Sequence, residues 1–448
     1  MLSRIKSNIV WSYSGQLATL TVGIIGSIIL ARNLGPEGRG IYALILATAE
    51  LLTEVLGKNS FIVSFTYFIS KKLINIDELI NQIIRYVLLV GLLAIILSRL
   101  FDNINFGGFV ELGTSEIWIC IEYSLAITCW GLTSGILVGM DKIRFNNIVV
   151  LVNNTFNVLI LVIFLILLKL RFNGGIYQIF ASSIFLVFVS MLILSKYAKL
   201  KPSLDLQASK QISFYAGKLY PGYIGNFMLM QLDLIVLGIF SNAYSLGIYS
   251  VAKSIILPIA LLEPPVTQAL VPFIASKDQY QAVAVLNRGF HILFWLLALV
   301  IVLMGFVLPI MVPIVYGQDF KDVSMTLLFL LPGQFAVASR TIYSYFYYQI
   351  GKPELLTYIS LLTGLICLPV YILFSIWWDY IGISIAVSLG LLLKSMVVIS
   401  FYSFLTKQNI FRIFLFDKHE MYQFWNLFLS IRRVRNITMK GRMSWKDS

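Results

Sequence analysis

Charged side chains are scarce along this chain. They make up 12% of its 448 residues, whereas soluble globular domains carry about 25%. Hydrophobic residues reach 59%, and the mean hydropathy is +0.87. Because so few polar residues cannot shield an apolar chain of this length from water, the composition excludes a soluble domain. It indicates a membrane protein.

Cysteine and histidine are also rare, which excludes most thiol and metal chemistry. Cys120, Cys129 and Cys367 all lie in apolar segments, and no pair has the C-x-x-C spacing. His291 and His419 stand apart from any serine, cysteine or metal-ligand cluster. No stretch has the Walker A form that binds ATP. We therefore expect no cofactor, no metal site and no catalytic residue; the protein is not expected to be an enzyme.

Apolar runs long enough to cross roughly 30 Å of hydrocarbon, about 20 residues each, recur along the chain. They predict an all-α polytopic membrane protein with about twelve transmembrane helices. The first run is too long for a signal peptide and many more follow it. The second and eighth runs exceed one straight crossing and contain break signals at Gly57 and Pro258. The predicted spans are 8–31, 40–70, 80–99, 117–139, 147–168, 174–195, 213–240, 243–272, 289–315, 324–348, 354–376 and 380–405.

Lysine and arginine are distributed unevenly between the two sides of these spans. A cytoplasmic N-terminus places most of them on the inner side, including Lys71, Lys72 and the tail from Lys407 onward. We therefore expect a multi-pass membrane protein with both termini in the cytoplasm. The net charge of +13 indicates topology and attraction to anionic lipids rather than binding to nucleic acid.

An internal repeat divides the chain. Gly40-Ile41-Tyr42 and Gly247-Ile248-Tyr249 each begin a long, broken span, and both long spans end in similar sequences at 68–71 and 273–277. Six spans separate the copies, so the halves should have parallel topology, which is a transporter architecture with the substrate site between the halves. The predicted domains are two pseudo-symmetric six-helix bundles at 1–198 and 212–406, a cytoplasmic linker at 199–211 and a basic amphipathic tail at 407–448.

The segment Ala31 to Leu44, with the sequence ARNLGPEGRGIYAL, resembles the first external turn of the polysaccharide flippases that serve O-antigen and capsule assembly. These proteins form part of the multidrug/oligosaccharidyl-lipid/polysaccharide exporter superfamily. Gln231-Leu232-Asp233, the second Gly-Ile-Tyr and the stretch 269–272 are similar to that family's second half. The family usually has tyrosine or phenylalanine where Arg39 stands, at what we expect to be an exposed turn.

The resemblance implies a V-shaped pair of bundles that work by alternating access. It also implies a substrate, an undecaprenyl-diphosphate-linked oligosaccharide that is moved outward for O-antigen, lipopolysaccharide, capsule or exopolysaccharide assembly. The implied partners are this lipid, a coupling ion (H⁺ or Na⁺, exchanged as in an antiporter), membrane lipids and other polysaccharide assembly proteins. The family has no strict catalytic signature, so no functional residue transfers by motif.

Four basic residues are placed deep in the predicted spans: Lys58, Lys253, Arg340 and Lys394. Each costs roughly 2.5–3.5 kcal/mol at the centre of an isolated span. Either acidic partners neutralise them, or they face a wet cavity and bind the anionic diphosphate. Arg340 suits a diphosphate best, because a guanidinium can bind two oxygens at once.

Deep carboxylates are the candidates for ion coupling. Glu50, Glu54 and Lys58 are spaced i, i+4, i+8, which would place them on one helix face. They could form a local ion-pair ladder or a cavity wall that takes up protons. Asp233 and Glu263 are single carboxylates in spans seven and eight, and either interhelical hydrogen bonding or ion coupling would explain them.

Two further groups of residues admit two roles. The polar residues near span five could meet sugar hydroxyls or hydrogen-bond between helices: they are Asn146, Asn147, Asn153, Asn154 and Asn157. The aromatic residues of 343–348 favour an interfacial belt, with sugar stacking as the alternative.

Competing functions remain open at this level. A drug exporter of the same superfamily should have an acidic cavity, whereas basic residues at depth match or outnumber acids here. A lipid II flippase usually has two further C-terminal spans. A membrane glycan polymerase or ligase, a different class, places its chemistry on a large outer loop, and the predicted outer loops are short.

Overall fold

The computed structural model describes residues 2–102, 112–197, 206–262 and 279–409, and within these ranges the chain is helical with no strand. The α-helices are α1 (Leu2–Val55), α2 (Lys58–Ser70), α3 (Ile76–Asp102), α4 (Thr114–Gly139), α5 (Ile143–Leu161), α6 (Arg171–Tyr197), α7 (Leu206–Met230), α8 (Leu232–Phe240), α9 (Ala243–Ile256), α10 (Gln279–Tyr316), α11 (Val323–Gln349) and α12 (Glu354–Thr406). A π-helix (Val162–Leu167) extends α5, and 3₁₀-helices follow α9 (Leu257–Leu262) and α10 (Gln318–Phe320).

Several of these helices are long enough to cross a bilayer. Among the described residues seven qualify by length and hydropathy, and the bent pair α7–α8 makes an eighth. α12 has 53 residues, so it is roughly 80 Å long at 1.5 Å per residue, which exceeds two hydrocarbon thicknesses. It kinks at Trp378 and Asp379, where the backbone is not helical. α12 therefore makes two crossings.

The first helix is kinked in the same way. In α1 the kink is at Gly35, whose φ of 67° and ψ of 179° favour glycine. Pro36 follows at the start of the second segment, where a missing N–H removes no helical hydrogen bond. α1 thus holds the first crossing and the first part of the second.

Gly57 separates α1 from α2, as its sequence position predicts. Its φ is 85°, in the left-handed region, and it occupies the N-cap position of α2. The eighth span also changes geometry as expected, because α9 ends at Ile256 and the 3₁₀-helix around Pro258 follows. Gln231, by contrast, interrupts a span that we predicted to be continuous, with a bend of 49° between α7 and α8.

The helices pack in two groups that follow the two halves of the sequence. In the first half α4 contacts α1, α2, α3 and α6, and α5 packs against α1. In the second half α12 packs against α7, α8 and α11, and α11 packs against α9 and α10. The described residues form twelve α-helices in these two groups, and the predicted all-α polytopic fold is confirmed.

Parts of the predicted domain boundaries and one candidate residue lie outside the described residues. These are residues 198–205 of the linker region, Glu263, and the tail after residue 409. α7 begins at Leu206, so the last part of the predicted linker range, from 206 onward, is helical.

The aromatic residues near the end of α11 do not form the interfacial belt that we expected. Tyr343, Phe346 and Tyr347 are fully buried in the core of the second half. The Tyr347 hydroxyl donates to the Val398 carbonyl at 2.6 Å. Only Tyr348 of this group is exposed, at 60%. Most aromatic side chains of this segment therefore pack inside the bundle.

Candidate functional site

Two of the predicted deep cations lie together in the second half. Lys394 on α12 is 3% exposed and Arg340 on α11 is 8% exposed, and their positive charges are close enough to repel each other. The Lys394 ammonium donates to the side-chain oxygen of Asn226 at 3.2 Å. Among the described residues no carboxylate lies within 4.0 Å of Lys394. Within the described part of the chain, the hydrogen-bond acceptor of this buried positive charge is therefore a neutral amide.

Lys58 is placed on the first half, at the start of α2. Because the helix is interrupted at Gly57, Lys58 does not continue one helix face with Glu50 and Glu54, as the spacing suggested. It remains within electrostatic range of both carboxylates, but no ion pair of 4.0 Å or less joins it to a described residue. The three groups thus form a mixed-charge cluster rather than a ladder of ion pairs.

Glu54 is the most buried member of this cluster, at 2% exposure. Its Oε2 accepts a hydrogen bond from the Asn59 side chain at 2.7 Å. Its Oε1 is buried and has no hydrogen-bond partner among the residues that the structure describes. A carboxyl group with one unfilled oxygen can accept a proton or a cation.

α7 lies between the two sets of charges. The Tyr220 hydroxyl donates to the Val55 carbonyl of the first half at 2.8 Å, and Asn226 holds Lys394 of the second half. Between them, Tyr223 lies within electrostatic range of both Glu54 and Tyr348. Residues three apart share one side of a helix. α7 therefore connects the Glu54 cluster with Lys394.

Lys253 and Asp233 form a different arrangement, a closed ion pair. The Lys253 ammonium contacts the two carboxylate oxygens of Asp233 at 2.7 and 2.9 Å, and the Tyr249 hydroxyl donates to the same carboxylate. Lys253 also donates to the Met230 carbonyl at 2.6 Å, which the break between α7 and α8 leaves without a helical partner. The pair therefore stabilises the broken span.

The asparagines of α5 divide between the two roles. The Asn157 side-chain oxygen accepts hydrogen bonds from Gln178 and Ser182 of α6. By contrast, amide atoms of Asn146, Asn147 and Asn153 are buried without a hydrogen-bond partner. Asn157 therefore joins helices, while Asn146, Asn147 and Asn153 retain unfilled hydrogen-bonding capacity.

At the predicted outer end the two halves touch through their backbones. A Cβ atom at Gly40 would lie 2.0 Å from the Ala243 carbonyl oxygen, and one at Gly247 would lie 1.8 Å from that of Pro36. The Ser27 and Ser254 hydroxyls are 3.0 Å apart across the same contact. The two copies of the repeated Gly-Ile-Tyr motif thus pack against each other, and this end of the molecule is closed.

Arg39 is a residue that the sequence reasoning placed wrongly. It is not on an exposed turn but 8% exposed, with its guanidinium carbon 5.5 Å from the centre of the Tyr42 ring. The sequence signal for this burial was that Arg39 stands where the family usually has an aromatic residue. A charged side chain at such a position needs neighbours that offset its charge.

Sequence comparison assigns the chain to a family. Residues 5–277 match the profile of the family described as polysaccharide biosynthesis protein. The chain belongs to this family. A search of curated protein sequences finds no match to this chain.

Solved structures share its fold. The structure described as "Lipid II flippase MurJ, inward closed conformation" matches with a TM-score of 0.76 at 16% sequence identity, covering 94% of this chain and 93% of that one. An inward-facing MATE family transporter of the MOP superfamily matches with a TM-score of 0.65 at 15% identity, covering 88% and 95%. A mutant of the Vibrio cholerae MATE transporter VcmN matches with a TM-score of 0.57 at 13% identity, covering 91% and 98%. This family member therefore has the fold of the superfamily that the sequence resembles.

Proposed function

We propose that the protein is a flippase that moves undecaprenyl-diphosphate-linked oligosaccharides from the inner to the outer leaflet of the bacterial inner membrane. It would supply O-antigen, capsule or exopolysaccharide assembly, with both termini in the cytoplasm. The observation that carries the proposal is Lys394, a buried cation beside Arg340 with no carboxylate within ion-pair distance among the described residues.

The physical argument rests on the cost of burying charge. An uncompensated ammonium inside a membrane protein is unfavourable by several kcal/mol, and Arg340 adds repulsion. A diphosphate would offset this cost, because the arginine can bind two of its oxygens and the lysine a third. A drug cation would increase it. The charges of Lys394 and Arg340 therefore favour an anionic headgroup.

Lys58 extends the same reasoning to the first half. It lacks a close ion-pair partner among the described residues, and the connection through α7 joins its cluster to Lys394. Cations on both halves would hold the headgroup while the halves change their relative positions. Weak contacts at several points would also let it leave.

Energy would come from a coupling ion, H⁺ or Na⁺. Glu54 is the best-supported site, because one of its oxygens is buried and unfilled and Lys58 and Glu50 lie within electrostatic range. Asp233 is the weaker candidate, since Lys253 and Tyr249 already occupy its carboxylate. Other polysaccharide assembly proteins and membrane lipids would be its partners.

Restoration of surface polysaccharide in a strain lacking its own flippase tests the proposal. Wild type should restore the polysaccharide, while Lys394→Gln, Arg340→Ala and Lys58→Ala should be inserted normally but reduce it at least tenfold. Lys352→Gln is the matched control, because Lys352 is exposed at a loop between α11 and α12. The proposed site is wrong if the three variants match the control.

Lipid II is a second candidate substrate, because it also has a diphosphate and the MurJ structure matches with a TM-score of 0.76. Expression of the protein in a strain depleted of its own lipid II flippase distinguishes the two substrates, with growth as the measurement. We expect no rescue of growth where surface polysaccharide is restored. Rescue of growth alone would assign the protein to lipid II.

A further inference from the structure

The outer closure contains two arginines in contrasting environments. We define the outer gate as Ser27, Arg32, Arg39 and Gly40 of the first half, with Gly247, Ser254 and the carboxyl end of α10 in the second half. Arg32 donates to the carbonyls of Val315 at 2.8 Å and Ile314 at 2.7 Å. These carbonyls end α10 and have no helical donor of their own. The Arg32 guanidinium therefore closes the gate by capping a helix of the opposite half.

Arg39 lies in the same gate without such acceptors. It is 8% exposed, its Nε is buried without a hydrogen-bond partner, and no hydrogen bond or ion pair joins its guanidinium to a described residue. Its neighbours are the face of Tyr42 at 5.5 Å and, within electrostatic range, Tyr316. A cation–π contact of this kind offsets only about 0.5–2 kcal/mol. Arg39 is therefore a buried cation with unfilled donors.

Opening of the gate changes both arginines together. When the halves separate, Arg32 loses the carbonyls of α10, because they belong to the other half. Arg39 would lose its neighbour Tyr316, which also belongs to the other half. Two guanidinium groups, on either side of the Gly35 kink, would then face the outer opening without those acceptors.

We propose that Arg32 and Arg39 form an outer binding site for the diphosphate of a lipid carrier, and that this site exists only when the gate is open. The inference rests on the proposed function. A ligand that binds the open state alone shifts the equilibrium toward it. The substrate headgroup would therefore favour opening of the gate through which it leaves.

Carboxylates are the competing acceptors at this end. Glu37 and Asp319 line an adjoining cleft together with Tyr244 and Lys321. If either carboxylate captured Arg39 on opening, the site would be filled by the protein itself. Added diphosphate would then have no effect on the gate, which makes this alternative distinguishable.

Disulfide formation between Ser27→Cys and Ser254→Cys reports the closed gate, because the two hydroxyl oxygens are 3.0 Å apart. The assay uses the full chain, purified in detergent, with Cys120, Cys129 and Cys367 replaced by alanine. Inorganic pyrophosphate should lower the rate of cross-linking at least threefold, and a polyprenyl diphosphate should do so at lower concentration. Potassium chloride at equal ionic strength is the salt control.

Variants assign the effect to the gate. Arg39→Gln should abolish the response to pyrophosphate, whereas Arg39→Lys should keep part of it. Arg171→Gln, which removes an exposed arginine at the same end, should respond like wild type. The cross-linking assay does not measure transport. If its result contradicts the gate proposal, the proposed function can still be tested by restoration of surface polysaccharide.

Three outcomes would overturn the proposal. The first is an unchanged cross-linking rate in pyrophosphate. The second is an equal response of Arg39→Gln and wild type, which would place the anion elsewhere. The third is an orthophosphate effect as large as that of pyrophosphate, which would indicate unspecific anion binding.

Discussion

At the scale of single residues, the nearest acceptor distinguishes cations that hold the fold from cations that are available to a ligand. Lys253 and Lys394 are both lysines deep in predicted spans, and nothing in their sequence positions separates them. In the structure Lys253 contacts the carboxylate of Asp233, while the hydrogen-bond acceptor of Lys394 among the described residues is an amide. Their substitution should therefore have different consequences.

Lys253→Met should reduce stability, because it leaves the Asp233 carboxylate, 1% exposed, buried without its cation. Breaking a buried ion pair from one side costs about 3–5 kcal/mol. The unfolding temperature of the purified protein should fall, and the double variant Asp233→Asn with Lys253→Met should recover part of the loss. Equal unfolding temperatures for the single and double variants would contradict a stabilising ion pair.

Asn226→Asp should separate stability from transport. The new carboxylate would lie about where the amide oxygen accepts from Lys394, at 3.2 Å, and would neutralise the Lys394 charge. We expect a higher unfolding temperature and at least a tenfold loss of polysaccharide export. Asn226→Ala, which removes the amide without adding charge, should reduce export far less. Full export by Asn226→Asp would show that the Lys394 charge does not serve transport.

At the scale of helices, the breaks coincide with the charged clusters. Gly57 separates Glu54 from Lys58, and the bend at Gln231 leaves the carbonyl that Lys253 fills. The break at Gly57 could be predicted, since glycine is the residue that adopts a left-handed backbone without strain. The bend at Gln231 could not, because it depends on Lys253 and Asp233 meeting across two helices.

Gly247→Ala should open the outer gate. Its Cβ would lie 1.8 Å from the Pro36 carbonyl oxygen, so the two halves could not close as they do. Cross-linking of Ser27→Cys with Ser254→Cys should fall at least fivefold.

Gly23→Ala is the matched control for this prediction, because a Cβ at Gly23 has no atom within 4 Å. Its cross-linking should equal that of the parent. Unchanged cross-linking in Gly247→Ala would mean that the repeated motifs do not form the closing contact.

Gly57→Ala should strain the junction of α1 and α2. The backbone φ of 85° is unfavourable for alanine, by about 1 kcal/mol or more, and the Cβ would lie 3.0 Å from the Ser60 hydroxyl oxygen. The unfolding temperature should fall by a few degrees, while Gly217→Ala, with open space around it, should cause no loss. An unfolding temperature equal to that of wild type would argue against strain at this break.

At the scale of the whole molecule, hydropathy and the repeat were sufficient to predict the architecture. Crossing an apolar layer imposes a local requirement on each span, so the number of crossings can be read along the chain. Which side chains meet between helices is not a local property. The burial of Arg39 and of Tyr343, and the pairing of Asp233 with Lys253, depend on contacts between distant segments.

Translocation of a fluorescent polyprenyl-diphosphate oligosaccharide in proteoliposomes tests the central claim most directly. An impermeant reagent that quenches only the outer leaflet would follow the labelled lipid. Wild type and Lys352→Gln should both expose the inner pool, and Lys394→Gln should slow this at least tenfold. Equal rates for wild type, Lys394→Gln and protein-free vesicles would contradict the claim that this protein flips a lipid-linked diphosphate with the help of the buried Lys394 and Arg340 charges.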